Sequence, residues 1–272
     1  MMQKDLSGRK KILILVKTYP VPSKKYDELV CTAGITEEGD WIRIYPVPFR
    51  KLPYEQQYKK YEWIEADISR NFSDFRPESY RITNPDNIKN LDFVPTSDNW
   101  KQRRSLLLNT KVFYNKTELI NASKKENGCM SLALFKPAEI IGFDYAPETE
   151  VWDIPENTQL ELFGDNKPFH RVKKLPYKFS YTFTDNEGKK SKLMIEDWET
   201  GMLYWNCLKK YDTKEQACKK VKEKYFDDFA KKKDLYFILG TTKEHHHRSR
   251  NPFIIIGAVP FPIKKDEQGL LF

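Results

Sequence analysis

Three of the four histidines in the chain are consecutive, His245, His246 and His247. Arg248 and Arg250 follow them in a polar segment between two apolar runs. Histidines and arginines in a loop between strands can contact phosphates. Histidines can also bind a metal ion or transfer protons. A third interpretation is a solvated basic loop, so three roles stay open for this segment.

A group of acids around a tryptophan, in the sequence IEDWE, offers a second kind of chemistry. Glu196, Asp197 and Glu199 could hold the paired divalent ions of a metal-dependent nuclease, with Lys192 close in sequence. The same acids also fit the start of a helix, where the helix dipole favours negative charge. The nuclease is therefore an alternative hypothesis, with Glu196, Asp197 and Lys192 as its catalytic residues.

A run of alternating aromatic residues, YKFSYTF, lies among several lysines. Its tyrosines, and Trp41 earlier in the chain, could stack on bases while the lysines contact phosphates. Alternating aromatics are also the ordinary core-facing side of a strand, so both interpretations stay open. The nucleic-acid contacts predicted from the sequence are Lys173, Lys174, Lys178, Tyr177, Tyr181, His245, His246, His247, Arg248 and Arg250.

Several familiar chemistries have no motif in this sequence. It contains no phosphate-binding P-loop, no G-x-G-x-x-G dinucleotide motif and no G-x-S-x-G hydrolase motif. The four cysteines lie far apart without a C-x-x-C pair, which argues against a zinc knuckle and against a disulfide framework. We therefore predict reduced thiols, no cofactor and no resident metal ion.

The charge of the chain permits a nucleic-acid partner without requiring one. The 272 residues include 47 Lys+Arg against 39 Asp+Glu, a formal net charge of +8. Positive charge is concentrated in the second half, with ten lysines against five acids between Trp205 and Lys233. A lysine-rich helix in this region is also explained by a solvated face. Aromatic residues make up 14% of the chain, which excludes a disordered protein.

The start of the chain superficially resembles a signal peptide. Its apolar run, Ile12–Val16, is too short for one and no cleavage site follows, so we interpret it as a first strand. No segment approaches the roughly 18 apolar residues that span a bilayer. We therefore expect a cytoplasmic protein without a membrane partner.

The hydrophobic patterning predicts an α+β fold. Alternating or continuous apolar runs predict many strands, and the pattern at residues 175–197 predicts a hairpin. Helical spacing predicts two consecutive helices, the second with a capping box at Thr213 and Gln216. We predict a PUA-like β-barrel or a strongly curved mixed sheet, with these two helices and a loop-rich insertion.

The composition predicts four parts along the chain. A β-rich part spans residues 1–150 and contains the loop-rich insertion at about 70–128. An extended connector spans 151–170, an α+β part 171–263, and a polar tail with an apolar end 264–272.

Two apolar runs, DLYFILGTT and NPFIIIGAVPFP between Asp234 and Pro262, resemble the core of PUA-like modules, including their EVE and ASCH relatives. That resemblance implies a small β-barrel that binds RNA or modified bases in DNA. The whole chain is also similar to a prokaryotic protein family, which implies no particular function.

Two short segments, QLELF at Gln159–Phe163 and QGLLF at Gln268–Phe272, resemble bacterial sliding-clamp-binding peptides of the pattern Q-L-x-L-F. The resemblance implies that Gln159 or Gln268 hydrogen-bonds at the rim of a clamp pocket. The side chains that would fill the pocket are Leu162, Phe163, Leu271 and Phe272. Gly269 departs from the pattern, and both segments are also explained as local hydrophobic plugs.

Three hypotheses about function follow from these features. The preferred one is a nucleic-acid-binding protein that recognises a particular or modified base, in DNA or RNA metabolism or in defence against foreign DNA. The second is the metal-dependent nuclease. The third is an interaction protein that engages a sliding clamp, or a similar partner, through the Q-x-x-L-F peptides.

Deletion of Gln268–Phe272 distinguishes the clamp peptide from the plug. If the tail is a docking peptide, the deletion abolishes pull-down by the clamp and leaves the melting temperature unchanged, because the peptide contacts only the partner. A large fall in melting temperature would instead identify the tail as part of the protein's own core.

Overall fold

The computed structural model describes residues 4–23, 27–152 and 172–263. Within these ranges the strands are β1 (Gly8–Lys17), β2 (Val21–Ser23), β3 (Asp27–Thr36), β4 (Trp41–Val47), β5 (Glu62–Arg70), β6 (Ser79–Ile82), β7 (Lys89–Phe93), β8 (Val112–Phe113), β9 (Leu132–Phe135), β10 (Glu139–Pro147), β11 (Tyr177–Thr184), β12 (Lys190–Ile195), β13 (Lys233–Thr241) and β14 (Phe253–Pro262). The helices are α1 (Ser97–Leu108), α2 (Lys116–Ala122), α3 (Trp198–Tyr211) and α4 (Lys214–Lys222), and α4 continues into a π-helical segment, Glu223–Ala230.

Five strands of the first half close into a barrel. They pair in the order β1–β3–β4–β6–β5, and β5 pairs again with β1. Four of these pairings are antiparallel, whereas β4 and β6 run parallel. The ring removes the free edges that an open sheet would expose. The prediction of an α+β fold with a β-barrel is therefore confirmed.

Strand β1 is buried on both of its faces. Ile12 and Ile14 point into the barrel core, whereas Leu13, Leu15 and Val16 pack outside the barrel against the second sheet. All five side chains are at most 1% exposed. A strand in this position has no solvent face, which explains why its sequence is a continuous apolar run and does not alternate.

The second half forms an open mixed sheet in the order β10–β11–β12–β14–β13–β9–β8. One face of this sheet packs against α3, α4 and the π-helical segment, and the other packs against the barrel. Strand β13 shows both faces, because Phe237 belongs to the helix-side core and Ile238 to the barrel-side core. The described part of the chain is therefore layered as barrel, sheet and helices.

The two consecutive helices predicted from the sequence are confirmed, and side chains cap both of them. The Asp197 carboxylate accepts a hydrogen bond from the Glu199 backbone N–H at the start of α3, and the Thr213 hydroxyl accepts one from the Gln216 N–H at the start of α4. Such caps satisfy N–H groups that have no partner within the helix. In α3, the ring that is fully buried in the sheet core belongs to Tyr204.

A buried polar network joins the barrel to the second sheet. Arg43 of β4 donates to the hydroxyl and the carbonyl oxygen of Ser131, at 2.6 and 3.0 Å. The Glu78 carboxylate accepts from the Ser131 backbone N–H and hydroxyl at 2.9 and 2.6 Å. Beside this group, Arg76 binds Asp74 and donates to the carbonyl of Thr241 at the end of β13. The network fixes the ends of β9 and β13 against the barrel.

The strands that carry the PUA-like resemblance, β13 and β14, belong to the open sheet and not to the barrel, which is built from residues 8–82. The PUA-like resemblance is therefore not confirmed. The segment predicted to be a loop-rich insertion contains β6, one of the five barrel strands. The other predicted boundaries along the chain stay predictions.

Both segments that resemble clamp-binding peptides, Gln159–Phe163 and Gln268–Phe272, lie outside the described residues. Among the described residues, no helix is both long and apolar enough to span a membrane.

Gly34 is the position where barrel closure leaves no room for a side chain. A Cβ atom there would lie 2.3 Å from the backbone oxygen of Leu13 on the neighbouring strand. Gly34→Ala is expected to lower the free energy of unfolding by roughly 2 kcal/mol or more, since the two strands must move apart. Gly142→Ala is the matched control, because nothing lies within 4 Å of the added Cβ. Equal denaturant midpoints for the two variants would contradict the close approach of β1 and β3.

Candidate functional site

A cleft of about 840 Å³ lies where the barrel, the sheet and the helices meet. The barrel half contributes residues before β5, at the end of β7 and in α1. The other half contributes the start of α3, the π-helical segment and the ends of β13 and β14. The charged and aromatic side chains that line it are Lys17, Lys59, Lys60, Tyr61, Phe93, Trp100, Arg103, Asp197, Trp198, Glu199, Lys224, Tyr225, Asp228, Phe229 and Lys233.

An ion-pair network crosses the cleft from the barrel to α3. The Lys60 ammonium group donates to Glu199 at 2.8 Å and to the Ala258 carbonyl at 3.2 Å, and it lies 4.0 Å from Asp197 Oδ2. That oxygen is buried and has no hydrogen-bond partner among the residues that the structure describes. The side chains of Lys60 and Asp197 are buried, whereas the Glu199 side chain is 56% exposed. Glu199 is therefore the acid of this network that a ligand can reach.

The network shifts the ionisation of its members in different directions. Burial raises the pKa of Asp197 to about 6, and the nearby Lys60 charge only partly opposes this effect. Burial acts to lower the pKa of Lys60, but the carboxylates of Glu199 and Asp197 outweigh it and raise that pKa. The Lys60 charge likewise outweighs burial at Glu199 and lowers its pKa. Near neutral pH the cleft therefore holds a charged lysine beside an ionised, partly exposed carboxylate.

Aromatic rings form the barrel side of the cleft. The Arg103 guanidinium lies 3.9 Å from the centre of the Tyr61 ring and 4.8 Å from the centre of the Trp100 ring. The Phe93 ring also faces Arg103 and is half exposed. Cation–π contacts of this kind hold flat rings in fixed orientations.

The backbone is strained at two of these aromatic residues. Tyr61 has φ of +64°, and Asp98, Asn99 and Trp100 at the start of α1 have φ of +51°, +51° and +63°. Residues with side chains rarely adopt this left-handed conformation, and such strain concentrates at functional sites. The strain sets the positions of both the Tyr61 and the Trp100 rings in the cleft.

Lys17 places a further cation beside the aromatic rings. Its ammonium group lies 4.1 Å from the centre of the Phe49 ring and 5.2 Å from that of Trp198, and it donates to the Tyr58 carbonyl. Burial lowers the pKa of Lys17 to about 8, although nearby carboxylates oppose the effect. Lys17 is therefore a mostly charged lysine that carries little hydration water to displace.

The cleft as a whole suits a flat ligand that carries negative charge. Among the described residues, its lining contains six cationic side chains, three acidic ones and six aromatic ones. Aromatic faces bind planar groups, cations bind anionic groups, and the accessible Glu199 carboxylate accepts hydrogen bonds. Aromatic faces alone or cations alone would not distinguish a metabolite from a nucleotide. Their combination favours a base attached to phosphate.

The residues predicted for the nuclease alternative lie in separate contacts. Lys192 on β12 pairs with Asp144 on β10 at 2.8 Å, and both side chains are largely exposed. Asp197 caps α3 and lies near Lys60. Burial raises the pKa of Glu196. The hydrogen bond from the Glu199 N–H to Asp197 matches the interpretation of Asp197 as the start of a helix.

The predicted contacts in the aromatic hairpin are occupied within the protein. Tyr181 is fully buried and its hydroxyl donates to the Tyr225 carbonyl at 2.5 Å, so its ring is not accessible to a base. Lys174 and Lys178 both pair with Glu148. The Tyr177 ring packs edge-on against Tyr145. Trp41 packs in the barrel-side core, whereas the Lys173 side chain is exposed and only its backbone carbonyl has a contact, accepting from Tyr19.

The histidine loop folds as a tight turn, in which the N–H groups of Arg248 and Ser249 donate to the His245 carbonyl. His245, Arg248 and Arg250 are exposed. His246 and His247 instead turn toward Cys129, with Nε2 to Sγ distances of 3.3 and 3.7 Å. Burial, helped by His247, lowers the pKa of His246 to about 4. The loop is thus divided between an exposed basic edge and a partly buried contact to a cysteine.

The sequence pattern indicated Asp197 and Glu199 as candidate site residues, but it did not indicate the residues on the barrel side of the cleft. Lys60, Tyr61 and Phe93 lie in segments without a recognisable motif. Trp100 and Arg103 have a weak signal, because both fall within the segment NWKQRRSLLL at a spacing of three residues, which places them on one face of a helix. Cys129 was missed for a similar reason, since its partners lie more than a hundred residues further along the chain.

The fold and the cleft define this protein as an α+β chain that carries a closed five-stranded barrel and an aromatic, cationic site beside it. The chain belongs to the family described as "Domain of unknown function (DUF8757)", whose model matches residues 113–272. Residues 8–109 match a second model, "Domain of unknown function (DUF8758)". A search of curated proteins finds no match.

Two solved structures show a distant likeness to the chain. One is the tetrameric p202 HIN2, with 9% identity and a TM-score of 0.30, covering 72% of this chain and 74% of that one. The other is a murine DNA binding protein bound with double-stranded DNA, with 10% identity and a TM-score of 0.31, covering 96% and 98%. Both TM-scores are too low to establish a shared fold or a shared function.

Substitution of Asp197 tests its two structural roles separately. Asp197→Asn keeps a side-chain acceptor for the Glu199 N–H and removes a charge whose burial outweighs the attraction of Lys60, so we expect its unfolding free energy at pH 7 to equal or slightly exceed that of the wild type. Asp197→Ala also removes the cap and is expected to cost ~1 kcal/mol relative to Asp197→Asn. Urea denaturation of the three proteins measures both steps.

The same variants have an expected pH dependence. Because the pKa of Asp197 rises from 3.8 to about 6 on folding, the folded state binds the proton more tightly, and this group's contribution to stability falls as pH rises through that interval. The deficit of Asp197→Asn relative to the wild type should therefore be larger at pH 4 than at pH 7. A deficit that grows toward pH 7 would contradict the raised pKa.

Proposed function

We propose that this protein binds nucleic acid and takes one unpaired base into the cleft between the barrel and α3. The observation that carries this proposal is the lining of the cleft, in which aromatic rings lie among lysines and beside the exposed Glu199 carboxylate. Proteins that bind single-stranded nucleic acid combine these elements, with rings stacking on bases and cations following the backbone.

Phe93 and Trp100 would stack on the base, because Tyr61 is only 5% exposed. Phe93 is half exposed at the cleft edge, so a base can cover it without displacing another side chain. Trp100 and Tyr61 lie deeper and are already ordered by Arg103. Pre-ordered rings lose little conformational entropy when a base binds.

Hydrogen bonding at the base edge would fall to Glu199 and Lys60. One oxygen of Glu199 accepts from Lys60, and the partly exposed carboxylate has further acceptor capacity. A carboxylate accepts from amino groups such as N4 of cytosine. A base that offers an amino group to Glu199 is therefore favoured over thymine or uracil.

Phosphate contacts would come from the lysines at the rim. Lys59, Lys224 and Lys233 line the cleft from three different elements. Lys59 is exposed, so it can meet a phosphate without losing an internal partner. The exposed edge of the histidine loop, with Arg248 and Arg250, is a second surface where a longer strand could be contacted.

The finer parts of the hypothesis stay predictions. Recognition of a modified base and a role in defence against foreign DNA rest on the PUA-like resemblance, and clamp binding rests on the Q-x-x-L-F peptides. A cytoplasmic location rests on the sequence alone. The nuclease alternative requires cleavage, which the same binding samples reveal on a gel when Mn²⁺ is added.

Fluorescence anisotropy with labelled single-stranded DNA, duplex DNA and RNA tests the proposal. We expect the single strands to bind more tightly, and the affinity to fall steeply between roughly 50 and 200 mM salt, because phosphate contacts release counterions. Phe93→Ala should cost about 1–3 kcal/mol of binding, the usual value of one stacked base. Phe72→Ala is its control, since Phe72 is 91% exposed and does not line the cleft.

A pair of lysine variants separates the charge contribution from stacking. Lys59→Ala should lower the slope of log affinity against log salt by about one, whereas Lys101→Ala, an exposed lysine outside the cleft, should leave it unchanged. The proposal is contradicted if binding depends weakly on salt, or if the cleft variants behave like their controls.

A further inference from the structure

Cys129, His246 and His247 form a cluster that neither the proposed function nor the folding of the barrel explains. The thiol sulfur and one ring nitrogen of each histidine all lie within 4.8 Å of one another. The three residues come from two segments, 125–131 before β9 and 242–252 after β13, which lie at the same end of this antiparallel strand pair. Both segments are held by the buried network around Arg43 and Arg76.

The two sulfur–nitrogen distances in the cluster match those of a tetrahedral zinc site. With Zn–S near 2.3 Å and Zn–N near 2.0 Å, a tetrahedral angle places sulfur and nitrogen about 3.6 Å apart. The observed Sγ to Nε2 distances are 3.3 and 3.7 Å. A neutral thiol can donate to one imidazole and accept from the N–H of the other, and one metal ion bound to all three atoms also accounts for both contacts.

A neighbouring side chain contacts each of the two histidines. The Thr241 hydroxyl lies 2.7 Å from His246 Nδ1, which directs Nε2 of the same ring to Cys129. The Phe75 ring stacks on His247 with centres 4.5 Å apart. Groups that bind the far nitrogen of a ligating histidine are a regular feature of metal sites, because they fix its tautomer and orientation.

The backbone at Cys129 is strained in a way that favours a function for its side chain. Cys129 has φ of +59°, directly after Gly128 with φ of +98°. Its N–H donates to the Lys124 carbonyl, which holds this conformation in place. Strain of this kind persists where the surrounding structure fixes the position of a functional group.

We propose that Cys129, His246 and His247 bind one zinc ion, with the fourth position open to a solvent molecule. A site of one thiolate and two imidazoles suits Zn²⁺ better than the harder ions Mg²⁺, Ca²⁺ and Mn²⁺. On binding, the Cys129 S–H proton leaves to solvent and the Zn–S bond forms, with no change of oxidation state. A small cleft of about 450 Å³ lies beside His247 and is lined also by Phe75, Lys243, Glu244 and Arg248.

The zinc site is independent of the aromatic cleft. The cleft includes Lys233 at the start of β13, and the zinc site follows Thr241 at its end. Eight residues of extended strand separate these ends by about 26 Å. Loss of zinc should therefore leave nucleic-acid binding in the cleft in place, and the two proposals can fail separately.

The test measures zinc and cobalt binding to the untagged full chain. After equilibration with Zn²⁺ and removal of the excess, elemental analysis should find one zinc per chain, and Co²⁺ should produce a thiolate-to-cobalt charge-transfer band. Cys129→Ser should lose that band, and Cys207→Ser, which removes another half-buried cysteine, should keep it. Zinc should also raise the melting temperature of the wild type, because it binds the folded state.

Neighbouring histidines supply the second matched pair. His247→Ala should weaken zinc binding at least tenfold, whereas His245→Ala, an exposed residue outside the cluster, should not. Thr241→Val should weaken binding by about 10–100-fold through loss of the orienting hydroxyl. Because His246 is buried and its replacement could impair folding, His247→Ala carries the test together with a circular dichroism check.

Two outcomes would overturn the proposal. The first is a folded wild type that retains no zinc and shows no charge-transfer band with cobalt, which would reduce the cluster to a thiol–imidazole hydrogen bond. The second is zinc binding of equal strength in the wild type, Cys129→Ser and His247→Ala, which would place the metal elsewhere on the chain.

Discussion

The buried contact between Arg43, Glu78 and Ser131 is the constraint on which the rest of the molecule depends. A guanidinium and a carboxylate in a protein interior are costly unless their hydrogen bonds are satisfied. Here the carboxylate binds the N–H and hydroxyl of Ser131, and Arg43 binds the same hydroxyl and the carbonyl. These groups are satisfied only when the barrel and the sheet meet in one register.

That register determines both candidate sites, although they lie at opposite ends of β13. At one end, docking of the barrel on the sheet brings Lys60 to Asp197 and Glu199 and places the Tyr61 and Trp100 rings opposite α3. At the other end, Ser131 and Thr241 are fixed, and Cys129 and His246 lie within a few residues of them. Apolar packing of β1 between the barrel and the sheet stabilises their contact, and the polar network fixes the register in which they meet.

The cleft contains residues with strained backbone and side chains held in fixed positions. Packing of a hydrophobic core alone would not require them. Three successive left-handed residues at the start of α1 and a left-handed Tyr61 have an energetic cost. The stacked Arg103 and the buried Lys60 network hold these residues in place. The result is a preformed site in which aromatic faces and charges keep their positions before any ligand arrives.

The sequence by itself determined the local elements of this protein. Apolar runs and alternation predicted the strands, and the caps at Asp197 and Thr213 marked two helices, because these signals depend on neighbouring residues alone. The tertiary structure decided that the barrel uses residues 8–82 and that Tyr181 is buried in the core. It also decided that Lys60 meets Glu199 and that Cys129 meets two histidines. Those contacts join residues more than a hundred positions apart, and their pairing depends on strand register and layer packing, which no single stretch of sequence encodes.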